Sequence, residues 1–244
     1  MDAPQGPIEM PDLDTHQLEQ PQCVDEQLLL TIDSNIKSSN WIQSHHCITM
    51  LRQVIKYYPN FTADIVNRYS IPFVDLFTNG KTQIIKNLLR MVKEIFDLGA
   101  KLNLEKAVYV FLPILLKKAS TDLGHIKEMS QHVLTSFANN CGYDCSFISN
   151  LFFILVASGY CNDKSVQISE IAVKLLCVLV QNVGSSFVKL NHDTLQQLMR
   201  NIFSLVDGKR QNLRTQSLDI CLQIYNGIGS ENYLSLMNYS LKQE

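Results

Sequence analysis

Polar turns recur along this chain at intervals close to forty residues, and the segments between them keep helical spacing. The turns are SSNW (38–41), NGKTQ (79–83), TDLGH (121–125), NDKSV (162–166) and DGKRQN (207–212). With Trp41, Lys81, His125, Lys164 and Arg210 as markers, successive separations are 40, 44, 39 and 46 residues. That spacing falls in the roughly 40–47-residue period of HEAT and armadillo repeats. A second set of turns lies between the first: YPNFT (58–62), GAKLN (99–103), NNCGYD (139–144) and VGSSF (183–187). Each repeat therefore reads as a helix, a short turn and a second helix. Alternate turns must then fall on opposite edges of the stack, so the five marker turns share one edge.

The intervening segments carry one apolar stripe each. Ile168, Ile171, Ala172, Leu175, Leu176, Leu179, Val180 and Val183 follow the 3,4 spacing of a single helix face. Leu195, Leu198, Met199, Ile202, Phe203 and Val206 repeat it, as do Leu218, Cys221, Leu222, Tyr225 and Ile228. No sustained alternation bounded by a tight turn argues for a hairpin, and Asn79-Gly80 and Asp207-Gly208 fall between helical stretches. The expected fold is all-α, an α-solenoid of about six HEAT-like helix pairs. One such pair cannot bury its apolar face alone, so at least three must stack. Five are visible, and ENYLSLMNYSLKQE opens another helix. Residues 1–22 hold four of the seven prolines and little periodicity. They read as a flexible leader to a domain spanning 23–244.

Composition narrows the function. Hydrophobic residues make up 46% against 18% charged, which supplies a core and excludes a disordered chain. The net charge of −2 provides no global basic field for nucleic acid. The longest apolar run, 151–158, is short of the ~20 residues a membrane helix needs, and the acidic, Pro-rich start is not a signal peptide. Seven cysteines without CxxC spacing, several inside apolar helical patterns, read as reduced thiols in a cytosolic protein.

Candidate chemistry is sparse. His45-His46-Cys47 places adjacent histidines in different directions on a helix, whereas ligands want i, i+4 spacing. Cys141 and Cys145 have that spacing but straddle a turn, with no third ligand near in sequence. No metal or other cofactor is expected. There is no Gly-rich phosphate loop, HExxH, GxSxG or framed carboxylate pair, so no catalytic residue is assigned and an enzyme is not expected. Trp41, the only tryptophan, follows Ser-Ser-Asn at a helix start, with Asn40 or Ser39 as cap. It either staples its own turn or serves as an exposed binding anchor.

The ordered set of segments resembles a TOG domain of the CLASP and crescerin type. The stretches that carry the resemblance are SNWIQSHHCITMLRQVIKYYP, NGKTQIIKNLLRMVKEIFDLGAKL, FLPILLKKASTDLGHIKEMSQHVLTSF and DGKRQNLRTQSLDICLQIYNGIG, and the resemblance covers roughly residues 25 to 241. TOG domains are HEAT-repeat paddles whose intra-repeat loops contact α/β-tubulin along one edge. The resemblance implies that Trp41 packs on β-tubulin from the first loop. Lys81 and Thr82 would lie in the second loop, His125 and Lys127 in the third, and Lys164 in the fourth. Lys209, Arg210 and Arg214 would form a basic fifth-loop group facing α-tubulin. Ser44 stands where many family members carry an arginine, and Asp163 and Asp207 make the edge mixed in sign. The resemblance further implies a monomeric tubulin- or microtubule-binding domain of a larger protein, in the cytoplasm and cytoskeleton, with a cilium or basal body as the setting of crescerin-type relatives. The rival reading is a HEAT or armadillo scaffold that binds a different protein or an extended peptide along the inner helices.

Overall fold

The computed structural model describes residues 10–98, 105–122, 124–140, 147, 151–152, 154–155, 159–161, 163–184, 186, 192–206 and 210–241. Ten α-helices lie among them: α1 Glu26–Asn35, α2 Trp41–Tyr57, α3 Thr62–Asn79, α4 Thr82–Asp97, α5 Glu105–Thr121, α6 Gly124–Asn140, α7 Val166–Val183, α8 His192–Val206, α9 Gln211–Ile228 and α10 Ser230–Leu241. No strand occurs among the described residues. The fold is the expected all-α stack of helix pairs. The helices that open at the five marker corners start at Trp41, Thr82, Gly124, Val166 and Gln211, so the polar turns read from the sequence are where the second helix of each pair begins.

The chain divides into two compact units, Met1–Leu98 and Gly99–Glu244. In a repeat stack each pair packs on its neighbours and not around one shared core, so compactness is local.

In the first unit α2 packs on α4, the second helices of consecutive pairs. Ile48, Leu51 and Ile55 on α2 and Leu88, Val92 and Ile95 on α4 are 0–1% exposed. Each contributes about 1.5–3 kcal/mol of burial. Arg52 and Glu94 lie within this apolar region, their side chains 1% and 7% exposed and 2.7 Å apart. Asn87 accepts from Arg52 Nη1 at 2.8 Å and donates to the His45 carbonyl and Thr49 hydroxyl. The buried charges are therefore paired and hydrogen-bonded, as burial requires.

Residues 10–22 of the leader belong to the first unit: Thr15–Gln17 form a single 3-10 turn and Leu18 is 2% exposed. Lys56 Nζ and the Tyr57 hydroxyl both donate to the Leu18 carbonyl at 2.9 Å. Prolines and missing periodicity exclude a helix there, but they say nothing about whether carbonyls and carboxylates find donors. Residues 1–9 lie outside the described residues.

In the second unit α7 is the central element and packs against α5, α6 and α9. Ala172, Val173, Leu176, Leu179 and Val180 are 0–1% exposed. By length and composition alone α7 could cross a membrane. Three neighbouring helices bury 44% of it, the face that carries Ala172, Leu176, Leu179 and Val180.

Cys47, Cys161 and Cys221 are buried free thiols, and burial pushes Cys47 up to about 11 and Cys161 up to about 12. Such thiols are inert. Cys23 is exposed and donates to Asp25, while Cys141 and Cys145 lie outside the described residues.

Candidate interaction edge at the helix-pair corners

The first corner is built by short polar residues that close α1 onto α2. Asn40 is the cap, its side chain accepting from the Ile42 N–H at 3.1 Å. Ser44, 1% exposed, donates to the carbonyls of Asn35 and Ser38 at 3.5 and 3.4 Å. Ser44 thus ties the corner together. These bonds fix Trp41 as the first residue of α2, half-exposed.

The second corner sits beside it. Gly80 ends α3, and a methyl group there would overlap the Leu76 carbonyl oxygen, so the tight turn requires glycine. Lys81 follows, exposed, with Nζ 4.7 Å from the centre of the Trp41 ring. A cation over an indole face is an attractive pair that keeps both groups at the surface. Together they border an open groove of about 540 Å³ whose wall includes Ser44, Pro72, Leu76 and Ile84. Lys37 and Asp75 also line it. Thr82 is exposed at the start of α4. The packing of α2 on α4 accounts for the meeting of the corners, since neighbouring second helices bring their starting ends side by side.

In the second unit the corners hold their cations differently. At the third corner His125 is exposed, 4.0 Å from the Glu128 carboxylate, and Lys127 is half-buried. At the fourth, the Asp163 carboxylate accepts from the Ser165 N–H at 2.7 Å and the Ser165 hydroxyl caps α7. The acid that looked like an unfavourable surface charge is therefore part of the turn. Lys164 is exposed.

Arg210 departs from expectation. Its Nη1 donates to the Asp163 carbonyl at 3.2 Å and the Ser169 hydroxyl at 3.1 Å, and its Nη2 to the Lys164 carbonyl at 3.4 Å. It fastens the fifth corner to the fourth, because the fork of a planar guanidinium can reach several acceptors around a helix start at once. Lys209 and Asp207 lie outside the described residues. Arg214 is exposed, and no salt bridge involves it among the described residues. The structure thus brings together Trp41 with Lys81, and Lys164 with Arg210. It turns Arg210 inward, and it adds Lys37 and Asp75, which no sequence motif marked.

Among the described residues no three His, Cys, Asp or Glu side chains cluster as a metal site would need. The His45-His46-Cys47 run divides as helix geometry dictates, with His45 and Cys47 buried and His46 exposed.

Comparison with solved structures places the fold. The chain matches the TOG domain of C. elegans Zyg9 with a TM-score of 0.60 at 12% identity, covering 93% of this chain and 90% of that one. Kap121p matches with a TM-score of 0.46 at 14% identity, over 89% of this chain and 21% of that one. No family model and no curated protein matches the chain. The fold is that of a TOG domain, a HEAT-type α-solenoid.

Proposed function

We propose that the chain is a tubulin-binding module that engages tubulin or the microtubule through its helix-pair corners. The observation that carries this reading is the pairing of Trp41 and Lys81 on the rim of an open groove. An aromatic anchor with an adjacent cation at a concave surface is the composition of an interface hot spot. The TOG fold supports it, as does the placement of Trp41 and Lys81 at the loops that the sequence resemblance assigns to tubulin contact. Lys164, Thr82, His125, Lys127, Lys209 and Arg214 are the further contacts of this reading. Arg210 acts behind them as the residue that holds the corner. Cations facing an acidic partner accelerate encounter, which makes the association salt-dependent. The CLASP or crescerin branch, a cytoskeletal or ciliary setting and a place beside other domains in a larger protein belong to the same proposal.

The test is co-elution with tubulin on a sizing column and co-pelleting with microtubules at low salt. The intact chain is expected to shift, and Trp41→Ala and Lys81→Glu are each expected to weaken association about tenfold or more, the ~1.4 kcal/mol of a single anchor. No shift and no pelleting by the intact chain removes tubulin as partner. Binding that both variants leave intact removes this edge.

A further inference from the structure

The α2–α4 face of the first unit, away from the corners, is covered by a segment of the chain itself. Seven residues, Asp12 to Leu18, lie on it. Two of their backbone carbonyls are held by side chains: Leu13 by Arg52 at 2.9 Å, and Leu18 by Lys56 and Tyr57. The Asp12 carboxylate meets Arg90, and the Asp14 carboxylate lies 3.5 Å from the same guanidinium. The Thr15 hydroxyl donates to Glu94 at 2.6 Å. Leu18 is the one fully covered apolar side chain, since Leu13 is half-buried and the other five are exposed.

Two features separate this from an ordinary packed terminus. The receiving side chains Arg52 and Glu94 are already held by each other, and Arg52 also by Asn87, so this part of the surface is organised without the segment. The segment is gripped through main-chain carbonyls, acidic groups and one apolar anchor, so both its backbone and its side chains are read. A single buried leucine must offset the ordering of seven residues. The tether, which raises the local concentration of the segment, then sustains much of its occupancy.

We infer that the α2–α4 face is a receptor for an acidic peptide of the pattern Asp-x-Asp-Thr-x-x-Leu that carries a single 3-10 turn at its threonine, with residues 12–18 as its tethered occupant. A free segment of that chemistry competes for the site once the tethered one is released. The Thr15–Glu94 contact sets a further selection: a phosphate on the threonine places a dianion against a carboxylate and removes the donated proton, so the phosphorylated peptide is refused.

The test uses the full 244-residue chain and a labelled peptide of residues 10–22, read by fluorescence anisotropy. Asp12→Lys/Asp14→Lys in the chain sets two ammonium groups against Arg90, and Thr15→Glu frees the segment by the other contact. In both variants hydrogen exchange of residues 13–18 is expected to rise while α2 and α4 stay protected. The peptide is expected to bind each variant at least tenfold more tightly than the parent chain. Adding Arg90→Glu to the double variant should weaken that binding about tenfold, and the Thr15-phosphorylated peptide should not bind. The inference is overturned if freed variants with intact helices do not take up the peptide. It is also overturned if both variants lose the protection of α2 and α4, or if neither frees the segment.

Discussion

The first and second corners and the fourth and fifth corners are made of similar parts, and they use their cations in opposite directions. In both pairs a basic residue precedes a second helix and lies beside the neighbouring corner. Lys81 points outward and rests over the Trp41 ring beside an open groove. Arg210 folds back onto the carbonyls of Asp163 and Lys164 and the hydroxyl of Ser169. A flexible ammonium with an aromatic neighbour remains available to a partner, whereas a planar guanidinium facing several carbonyl and hydroxyl acceptors becomes part of the scaffold. Basic residues at equivalent places in a repeat are therefore not equivalent as binding groups.

The interiors differ in the same way. The first unit holds a buried ion pair within its α2–α4 packing, and the second is centred on an apolar helix. Arg52→Ala leaves Glu94 buried without its partner and should lower stability by about 3–5 kcal/mol. Hydrogen exchange should show the loss in α2 and α4; equal loss in α7 would erase the distinction between the units. Arg210→Ala should lower stability by about 1–2 kcal/mol, the worth of its hydrogen bonds, as a fall in the denaturant midpoint. If stability holds and only partner binding falls, the inward assignment of this residue is wrong.

A pH titration sharpens the contrast further. His45 in α2 is buried with Nδ1 unpaired, and burial, then the Arg52 guanidinium and His46, push its pKa below the usual 6.5. The unfolded chain takes up a proton near 6.5 while the folded chain resists it, so stability falls as pH drops below that value. His45→Gln should flatten the dependence between pH 6.5 and 5, a window about the ordinary histidine range. An unchanged slope would assign it elsewhere. The smallest effect is expected at Lys81→Ala, within about 0.5 kcal/mol of the parent in thermal melts. A larger change would make Lys81 a structural residue like Arg210.

What the sequence made legible follows from distance along the chain. Turn spacing and apolar stripes are local signals, and they located the helix pairs and placed Trp41 at a capped corner. Asn40 as the cap was readable for the same reason. The Arg52–Glu94 pair spans 42 residues, and in LRQVIKYY the arginine reads as an interruption of an apolar stripe. The role of Arg210 depends on carbonyls more than forty residues upstream, and adjacent Lys209 and Arg210 look alike in one dimension. Residues 10–22 carry no helical periodicity, and the contacts that hold the Leu13 and Leu18 carbonyls to Arg52, Lys56 and Tyr57 span about forty residues, so no local signal announces them. Ser44 was legible only as a missing arginine; that its hydroxyl closes the corner is a matter of geometry.

The placement of the sole tryptophan has a practical consequence. Because the chain has one indole and that indole lies at the first corner under the Lys81 ammonium, its intrinsic emission is a built-in optical reporter of this spot alone. Any molecule that displaces the ammonium or dries the ring must change the emission of the unlabelled protein, and any molecule that docks far from it has no direct reason to.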